Sequence, residues 1–418
     1  MRYGIEALNV YAGIAQISVP DLFAGRGLAP ERLDNLHMRQ RSVGLPFEDP
    51  VTNAVNAAKP IVDALDPADR DAVEILITST ESGLDLSKSV ASYVHEYLGL
   101  SRNCRLLEVK QACYAATGAL QLAVGYLASG ASPGAKALVI ATDVALVDER
   151  AAYAEPATGH GAAAMLLGDA PAVLAVDPGA FGCYSYETLD SARPTPRFDI
   201  ADVDRSLFAY LDCLAGGFAD YRSRVEAADF ATTFDHLALH TPFAGLVRAA
   251  HRKMMREHAP EVEVTGDFQR RVAPSLVYPS LVGNLCSGSV YLALASLLDH
   301  AEADEVDGGA RVGLYSYGSG CSAEFFSGTV DAGSRRAVAA MGIGEALNRR
   351  RRLTFAEYAD LLSQTSRVLV PEENRRVDLD AYADFLPVGW TPGQATAGRH
   401  PLLVHTGTKD YHREYEWR

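Results

Sequence analysis

Charge is missing from two long stretches of this chain. No Asp, Glu, Lys or Arg falls between Lys110 and Lys136, and none between Arg271 and Asp299. A membrane span needs about 20 consecutive, mostly apolar residues. The first stretch (QACYAATGALQLAVGYLASGASPGA) is instead rich in Gly, Ser, Thr and Gln, and the second carries two prolines with Gly and Asn. A helix without a charged face has to be covered by protein on all sides. The pattern therefore predicts a buried helix in each stretch, over about residues 113–128 and 284–298, and no membrane partner.

The segments around these helices repeat in order. AVEILITST (72–80) is short, apolar and β-branched, and predicts a buried strand; a polar turn with Glu81, a helix, the charge-free helix headed by Cys113 and the strand ALVIATD (137–143) follow. In the second half DHLALH (235–240) predicts a strand, HTPF starts a helix with Pro242 suited to its first turn, and the charge-free helix headed by Asn284 leads to the strand RVGLYSYG (311–318). Strands alternating with helices define an α/β class. Two central helices between two sheets give a five-layer α-β-α-β-α body made of two similar halves. We place the halves at residues 1–170, with Glu81 and Cys113, and 171–418, with His240, Asn284 and the linking insertion. Beyond about Asp331 the pattern is less regular, and the Arg349–Arg352 run is expected on a solvated face.

The 418 residues include 48% hydrophobic and 22% charged side chains, which excludes disordered, collagenous and coiled-coil classes. A net charge of −15 argues against nonspecific nucleic-acid binding, so an anionic partner has to meet a local basic patch. The first residues lack the long apolar core of a secretory signal. The six cysteines form neither a CxxC pair nor a dense disulfide framework. Free thiols in a reducing cytoplasm, and no metal site, are expected.

Cys113 is the leading nucleophile candidate, because a helix head stabilises a thiolate and lowers its pKa; an inert core thiol is the competing reading. Glu81 follows a buried strand, where a dry pocket raises a carboxyl pKa and suits it to proton transfer, although turn carboxylates more often face solvent. His240 ends a strand before Thr241-Pro242. Asn284 either caps its helix or meets substrate. Gly318 and Ser319 lie in a Gly turn after a strand, which can aim backbone N–H groups at an oxyanion. Arg248, Arg252 and Arg256 fall at i, i+4 and i+8, on one side of the helix that begins beside His240. That row is either a solvated face or a landing strip for phosphate or an acidic carrier protein.

TSTESGLDLSKS, EVKQACYAATGAL, ALVIATD, AEPATGHGAAAMLL, ARPTPRFDI, LHTPF, VGNLCSGSVYLALASLL, LYSYGSGCSAEFFSG and KDYHREYEW together resemble the 3-hydroxy-3-methylglutaryl-CoA synthase family of the thiolase superfamily. RSVGLPFEDPVTNAVNAAKPIVD is most similar to the polyketide β-branching synthases, which act on carrier-protein substrates. Gly245 follows HTPF, where the mevalonate-pathway enzymes carry a CoA-holding Lys. Cys286 stands where the family commonly has Tyr, and Ser191 falls near a usual aromatic; both bear on pocket shape and acceptor identity.

The resemblance implies acetylation of Cys113, removal of a methyl proton by Glu81, and attack on the β-ketone of a carrier-bound acceptor. His240 and Asn284 would position that acceptor, and the amides of Cys113 and Ser319 would bind the thioester oxygen. It implies no cofactor beyond phosphopantetheine-borne acyl groups, donor and acceptor carrier proteins as partners, and a homodimer. A mevalonate-pathway synthase, a decarboxylating ketosynthase (disfavoured by Glu81) and a noncatalytic carrier-binding scaffold stand as alternatives.

Overall fold

The computed structural model describes residues 2–145, 154–386 and 401–418. The strands of its main sheet are β1 (Gly4–Tyr11), β2 (Val73–Ser79), β3 (Arg105–Val109), β4 (Lys136–Asp143), β5 (Gly161–Gly168), β6 (Leu174–Ser185), β7 (His236–Leu239), β8 (Ala310–Gly318) and β9 (Ser322–Val330). They run in the order β7-β8-β9-β6-β1-β5-β4-β2-β3. Where β6 meets β1 only Gly4 pairs with Ala175 and Ile5 with Leu174, so two sheets touch along their first strands.

The first sheet is ordered β3-β2-β4-β5-β1, with β5 antiparallel to its neighbours β4 and β1. The second, β7-β8-β9-β6, repeats that order without an outermost strand, and its penultimate strand β9 is again antiparallel to both neighbours. The repeated plan read from the sequence is thus a repeated topology.

Side-chain alternation along the strands sorts the core into three sheets of apolar contact. On β2 and β4, Leu76, Leu138 and Ile140 face the outer helices α1 (Pro50–Ala64) and α2 (Val90–Leu98). Their neighbours Ile75, Ile77, Ala137 and Val139 face the charge-free helices α3 (Ala115–Ala128) and α6 (Ser289–His300). Val312 and Leu314 of β8 close that central layer from the other side, while Tyr315 and Tyr317 turn outward toward α4 (Val203–Arg224) and α5 (Ala244–His258). The result is the five-layer thiolase-like α/β fold. Among the described residues no helix is long and apolar enough to cross a membrane.

Four local expectations are corrected. Helix α6 is covered along Ser289–Leu298, but α3 is covered on one side only, with Leu122 70% exposed. Both helices begin later than expected, each after a short 3-10 turn, Ala112–Tyr114 and Cys286–Gly288. Pro242 lies ahead of the N-cap Phe243 rather than in the first turn of α5. Within the arginine run, Arg350 is buried and donates to the carbonyls of Leu347 and Leu281, because the segment Arg351–Leu353 pairs with Ala15–Ser18.

Candidate active site

In open α/β sheets, functional groups gather beyond the carboxyl ends of the parallel strands. Here β2 ends two residues before Glu81, β3 leads to Cys113, β4 ends on Asp143, β7 ends before His240, and β8 ends on Gly318. The two sheets direct these ends toward the heads of the central helices. There Ser79 and Ser287 hydroxyls meet at 2.8 Å, and Thr117 and Tyr291 hydroxyls meet at 2.9 Å.

Cys113 and Glu81 share one site: the thiol Sγ lies 3.9 Å from Glu81 Oε1. Cys113 sits mid-way in its 3-10 turn, preceded by Ala112 at φ 44°, a left-handed conformation that non-glycine residues seldom adopt. Gly318 locks the turn in place. A Cβ there would stand 2.4 Å from the Gln111 carbonyl oxygen and 2.6 Å from the Tyr114 nitrogen. Tyr114 donates to Glu324 Oε2 at 2.8 Å and Gln121 to Glu324 Oε1 at 2.6 Å, which ties the head of α3 to β9. The Gly318–Gly320 turn is held in its turn by buried Asp190, which accepts from the Tyr317 hydroxyl at 2.7 Å and the Gly320 amide at 2.9 Å.

Asp143 organises the Glu81 side. Its Oδ1 accepts from the Thr80 hydroxyl (3.1 Å), the Glu81 amide (2.9 Å) and the Ser82 hydroxyl (2.9 Å). Burial first, then the Glu81 charge, raises its pKa to about 8. Arg193 reaches in from the linking segment. It donates to the Glu81 carbonyl (3.3 Å) and Ser82 hydroxyl (2.9 Å), and its Nε is braced by Asp199 at 2.7 Å.

The lowered thiol pKa expected from the helix head is not found. A hydrogen bond with the Cys286 thiol draws the Cys113 pKa down, but burial and the Glu81 and Asp143 charges outweigh it, so the net direction is upward. The helix itself starts only at Ala115, after the turn that carries the thiol.

His240 is buried, its amide donating to the Tyr315 carbonyl (2.7 Å) and its carbonyl accepting from the Tyr210 hydroxyl (2.8 Å). Its ring packs between Tyr210 and Tyr317, and its Nδ1 is buried without a partner among the described residues. Burial lowers its pKa to about 3, so the ring is neutral near pH 7. Among the described residues no hydrogen bond joins the ring to Glu81 or Cys113; the ring packs on Tyr317, the residue before Gly318.

Asn284 Oδ1 accepts from the Cys286 amide (3.0 Å) and the Ser289 hydroxyl (2.6 Å), so it caps the Cys286 turn and the start of α6. Cys286, at φ 49°, enters the site from that turn: its sulfur, Cys113 Sγ and a Glu81 oxygen lie within 4.8 Å of one another.

Arg248, Arg252 and Arg256 line the exposed side of α5, away from its buried Val247, His251, Met254 and Met255. No ion pair occupies them among the described residues; Arg248 leans on the Phe268 ring at 5.7 Å. Asp143, Asp190 and Arg193 were not assigned roles from the sequence, and Cys286 was read only as bearing on pocket shape. For Asp143 the usable signal was a carboxylate closing an otherwise apolar strand.

A cysteine and a glutamate at the carboxyl ends of two neighbouring strands, in a doubly repeated five-layer fold, define a thioester-condensing class of site. The hydroxymethylglutaryl-coenzyme A synthase N-terminal family model matches residues 57–172 and the C-terminal one residues 258–376. The chain belongs to this family. It is 44% identical over 426 residues to the polyketide biosynthesis 3-hydroxy-3-methylglutaryl-ACP synthase PksG of Bacillus subtilis, covering 99% of each. The curacin pathway HMG synthase in complex with holo donor-ACP is similar over 100% of both chains, with TM-score 0.94 and 44% identity. The hydroxymethylglutaryl-CoA synthase of Enterococcus faecalis is 32% identical over 87% of this chain and 92% of its own.

Proposed function

We propose that the chain is the condensing enzyme of polyketide β-branching, adding an acetyl-derived carboxymethyl group to the β-ketone of a carrier-bound β-ketoacyl thioester. The 3.9 Å approach of Cys113 Sγ to Glu81 Oε1 carries the assignment, since an acetyl group on that sulfur has its methyl within reach of the carboxylate. Cys113 attacks the donor thioester carbonyl, and the carrier thiol leaves with a proton, which divides a hard step into easier ones. Glu81 takes a proton from the sulfur-bound acetyl group. The enolate carbon attacks the acceptor ketone, and the new alkoxide takes up a proton. Water then cleaves the Cys113 thioester, freeing the thiol and leaving a carboxylate on the branch.

His240 is neutral at working pH, so it serves as a ring N–H donor or lone-pair acceptor at the acceptor oxygens rather than as an imidazolium. The amides of Cys113 and Ser319 take the role of binding the thioester oxygen. Asn284 acts on the acceptor side and on the Cys286 turn it caps. No step calls for a metal or redox cofactor.

Gly245 favours carrier-bound over CoA-bound substrates: a Cβ there would lie 1.8 Å from the Asn35 carbonyl oxygen, so the backbone leaves no room for a phosphate-seeking side chain. Arg248, Arg252 and Arg256 give an acidic donor or acceptor carrier protein its landing row. A second copy of the chain covers the uncharged side of α3. Edge strand β3 exposes Leu107 (52%) and α3 exposes Leu122 (70%), as a homodimer interface would before pairing. Residues 1–170 and 171–418 form the two halves, and the cytoplasm suits their unpaired thiols.

Intact-protein mass spectrometry after exposure to acetyl-carrier protein and, separately, acetyl-CoA tests this. Acetylation of Cys113 from the carrier far faster than from CoA is expected. Equal rates favour the mevalonate-type alternative, and no acetylation from either donor sinks the enzyme assignment.

A further inference from the structure

Cys286 has no part in the chemistry above, yet its thiol stands against the reacting one. The sulfurs of Cys113 and Cys286 and a Glu81 carboxylate oxygen lie within 4.8 Å of one another. A tetrahedral zinc ion, with bonds of about 2.3 Å to sulfur and about 2.0–2.2 Å to oxygen, holds its ligand atoms roughly 3.6–3.8 Å apart. Closing the three side chains by about 1 Å at most reaches that geometry. All three are part-buried, and a water takes the fourth position of such an ion.

The surroundings hold one more oxygen donor that is not yet engaged. Asp143 is buried directly behind Glu81, and its Oδ2 has no hydrogen-bond partner among the described residues. Arg193 is the cation seen at this site, and Asp199 already engages it. Two thiols and a carboxylate select soft, thiophilic ions over Mg2+ or Ca2+.

We infer that Glu81, Cys113 and Cys286 form a binding site for a thiophilic divalent cation, best matched by Zn2+, which blocks acylation of Cys113 while it is bound. Binding releases the two thiol protons to solvent, and the ion takes both thiolates and the carboxylate as ligands. The donors come from the two halves of the fold, so only the assembled protein offers the site. The competition with acylation rests on Cys113 being the acetylated thiol; the metal site itself does not.

Cobalt substitution of the full-length protein reads the donors directly. Wild type should take one Co2+ with near-ultraviolet thiolate charge-transfer bands of two-sulfur intensity, displaced by Zn2+ and untouched by Mg2+. Cys286→Ala, Cys286→Ser and Cys113→Ser should each lose about half of that intensity. Their zinc affinity should fall by more than the roughly 10–100-fold that loss of an outer-shell partner costs a metal site. Stoichiometric Zn2+ should stop acetyl labelling of wild type, and Cys286→Ser should relieve the block. Absent thiolate bands in wild type, or bands unchanged in both folded Cys286 variants, would overturn the site. If the cobalt bands behave as expected but no donor ever acetylates Cys113, the metal site stands and the condensing-enzyme assignment fails.

Discussion

Gly318→Ala tests the placement of the nucleophile without touching a reactive group. The added Cβ would lie 2.4 Å from the Gln111 carbonyl oxygen, 2.6 Å from the Tyr114 nitrogen and 2.9 Å from the Tyr114 Cβ. Ordinary non-bonded carbon contacts sit at about 3.5–4.0 Å, so the Ala112–Tyr114 turn has to withdraw by about 1 Å. Backbone on both sides of Cys113 takes the pressure, and no flexible side chain can yield in its place. A misplacement of about 1 Å near reacting atoms costs on the order of 100-fold in rate, or about 2.7 kcal/mol of barrier. Overpacking a filled core costs about 1–3 kcal/mol of stability, so the variant should still fold.

The assay is the rate of Cys113 acetylation by mass spectrometry, with thermal melting to establish the folded fraction. Gly308→Ala supplies the comparison, because a Cβ there meets nothing within 4 Å. Acetylation about 100-fold slower in folded Gly318→Ala, beside an unaffected Gly308→Ala, is expected. A wild-type acetylation rate in Gly318→Ala would refute the claim that this contact sets the position of the thiol.

Glu81→Ala should accumulate acetyl-Cys113 while condensation falls by about 10²–10⁴-fold, and Cys113→Ser should not label efficiently; mass spectrometry of enzyme and carrier-bound product separates the two. Asp143 holds its proton up to a pH of about 8, whereas an unfolded aspartate releases it near 3.9. Its stabilising contribution is therefore complete below about pH 4 and declines by about 1.4 kcal/mol per pH unit until about pH 8. Asp143→Asn should remove that decline, so urea-unfolding stabilities of wild type and variant should diverge by about 2.7 kcal/mol between pH 5 and 7, and parallel profiles would count against a buried, protonated Asp143. Arg252→Glu with Arg256→Glu should slow carrier association about tenfold or more and flatten its dependence on salt, as read by stopped-flow binding.

Periodicity and missing charge made the central helices and the four parallel strands around them legible in the sequence, because burial on both faces removes charged residues from the chain itself. The Glu81–Cys113 pair was also legible, since each follows a strand or heads a helix. The turns that present the thiols were not. Ala112 and Cys286 adopt left-handed conformations with neither Gly nor Asn at the position to announce them; tertiary contact at Gly318 presses on the first turn, and the local Asn284 cap holds the second. Asp143 and Asp190 work through partners distant in the sequence: Asp143 accepts from Ser82, 61 residues away, and Asp190 from Gly320, 130 residues away. The two thiols lie too far apart in sequence to read as a metal motif. Arg350 escaped notice because its neighbours in the run are exposed, and only the pairing of that segment turns it inward.

The charge inventory of the site explains why Cys113, the proposed nucleophile, rests with a raised pKa. Glu81, Asp143 and an ionised Cys113 would gather three negative charges around Arg193, in surroundings that screen them poorly. The protein relieves this by keeping Asp143 protonated to about pH 8 and Cys113 in the thiol form. Glu81 is left beside that thiol, 3.9 Å away, as the carboxylate able to receive its proton. In the proposed reaction, thiolate formation is coupled to arrival of the donor, whose polarised carbonyl takes up the new charge as it appears. Once acetyl occupies the sulfur, the thiolate charge is gone, and the same carboxylate is free to draw a proton from the methyl group. Asp143 matters to both events through the Glu81 amide it fixes. Because Asp143 is already protonated below about pH 8, Asp143→Asn should leave the pH profile of acetylation unchanged below that pH and ease thiol ionisation only above it.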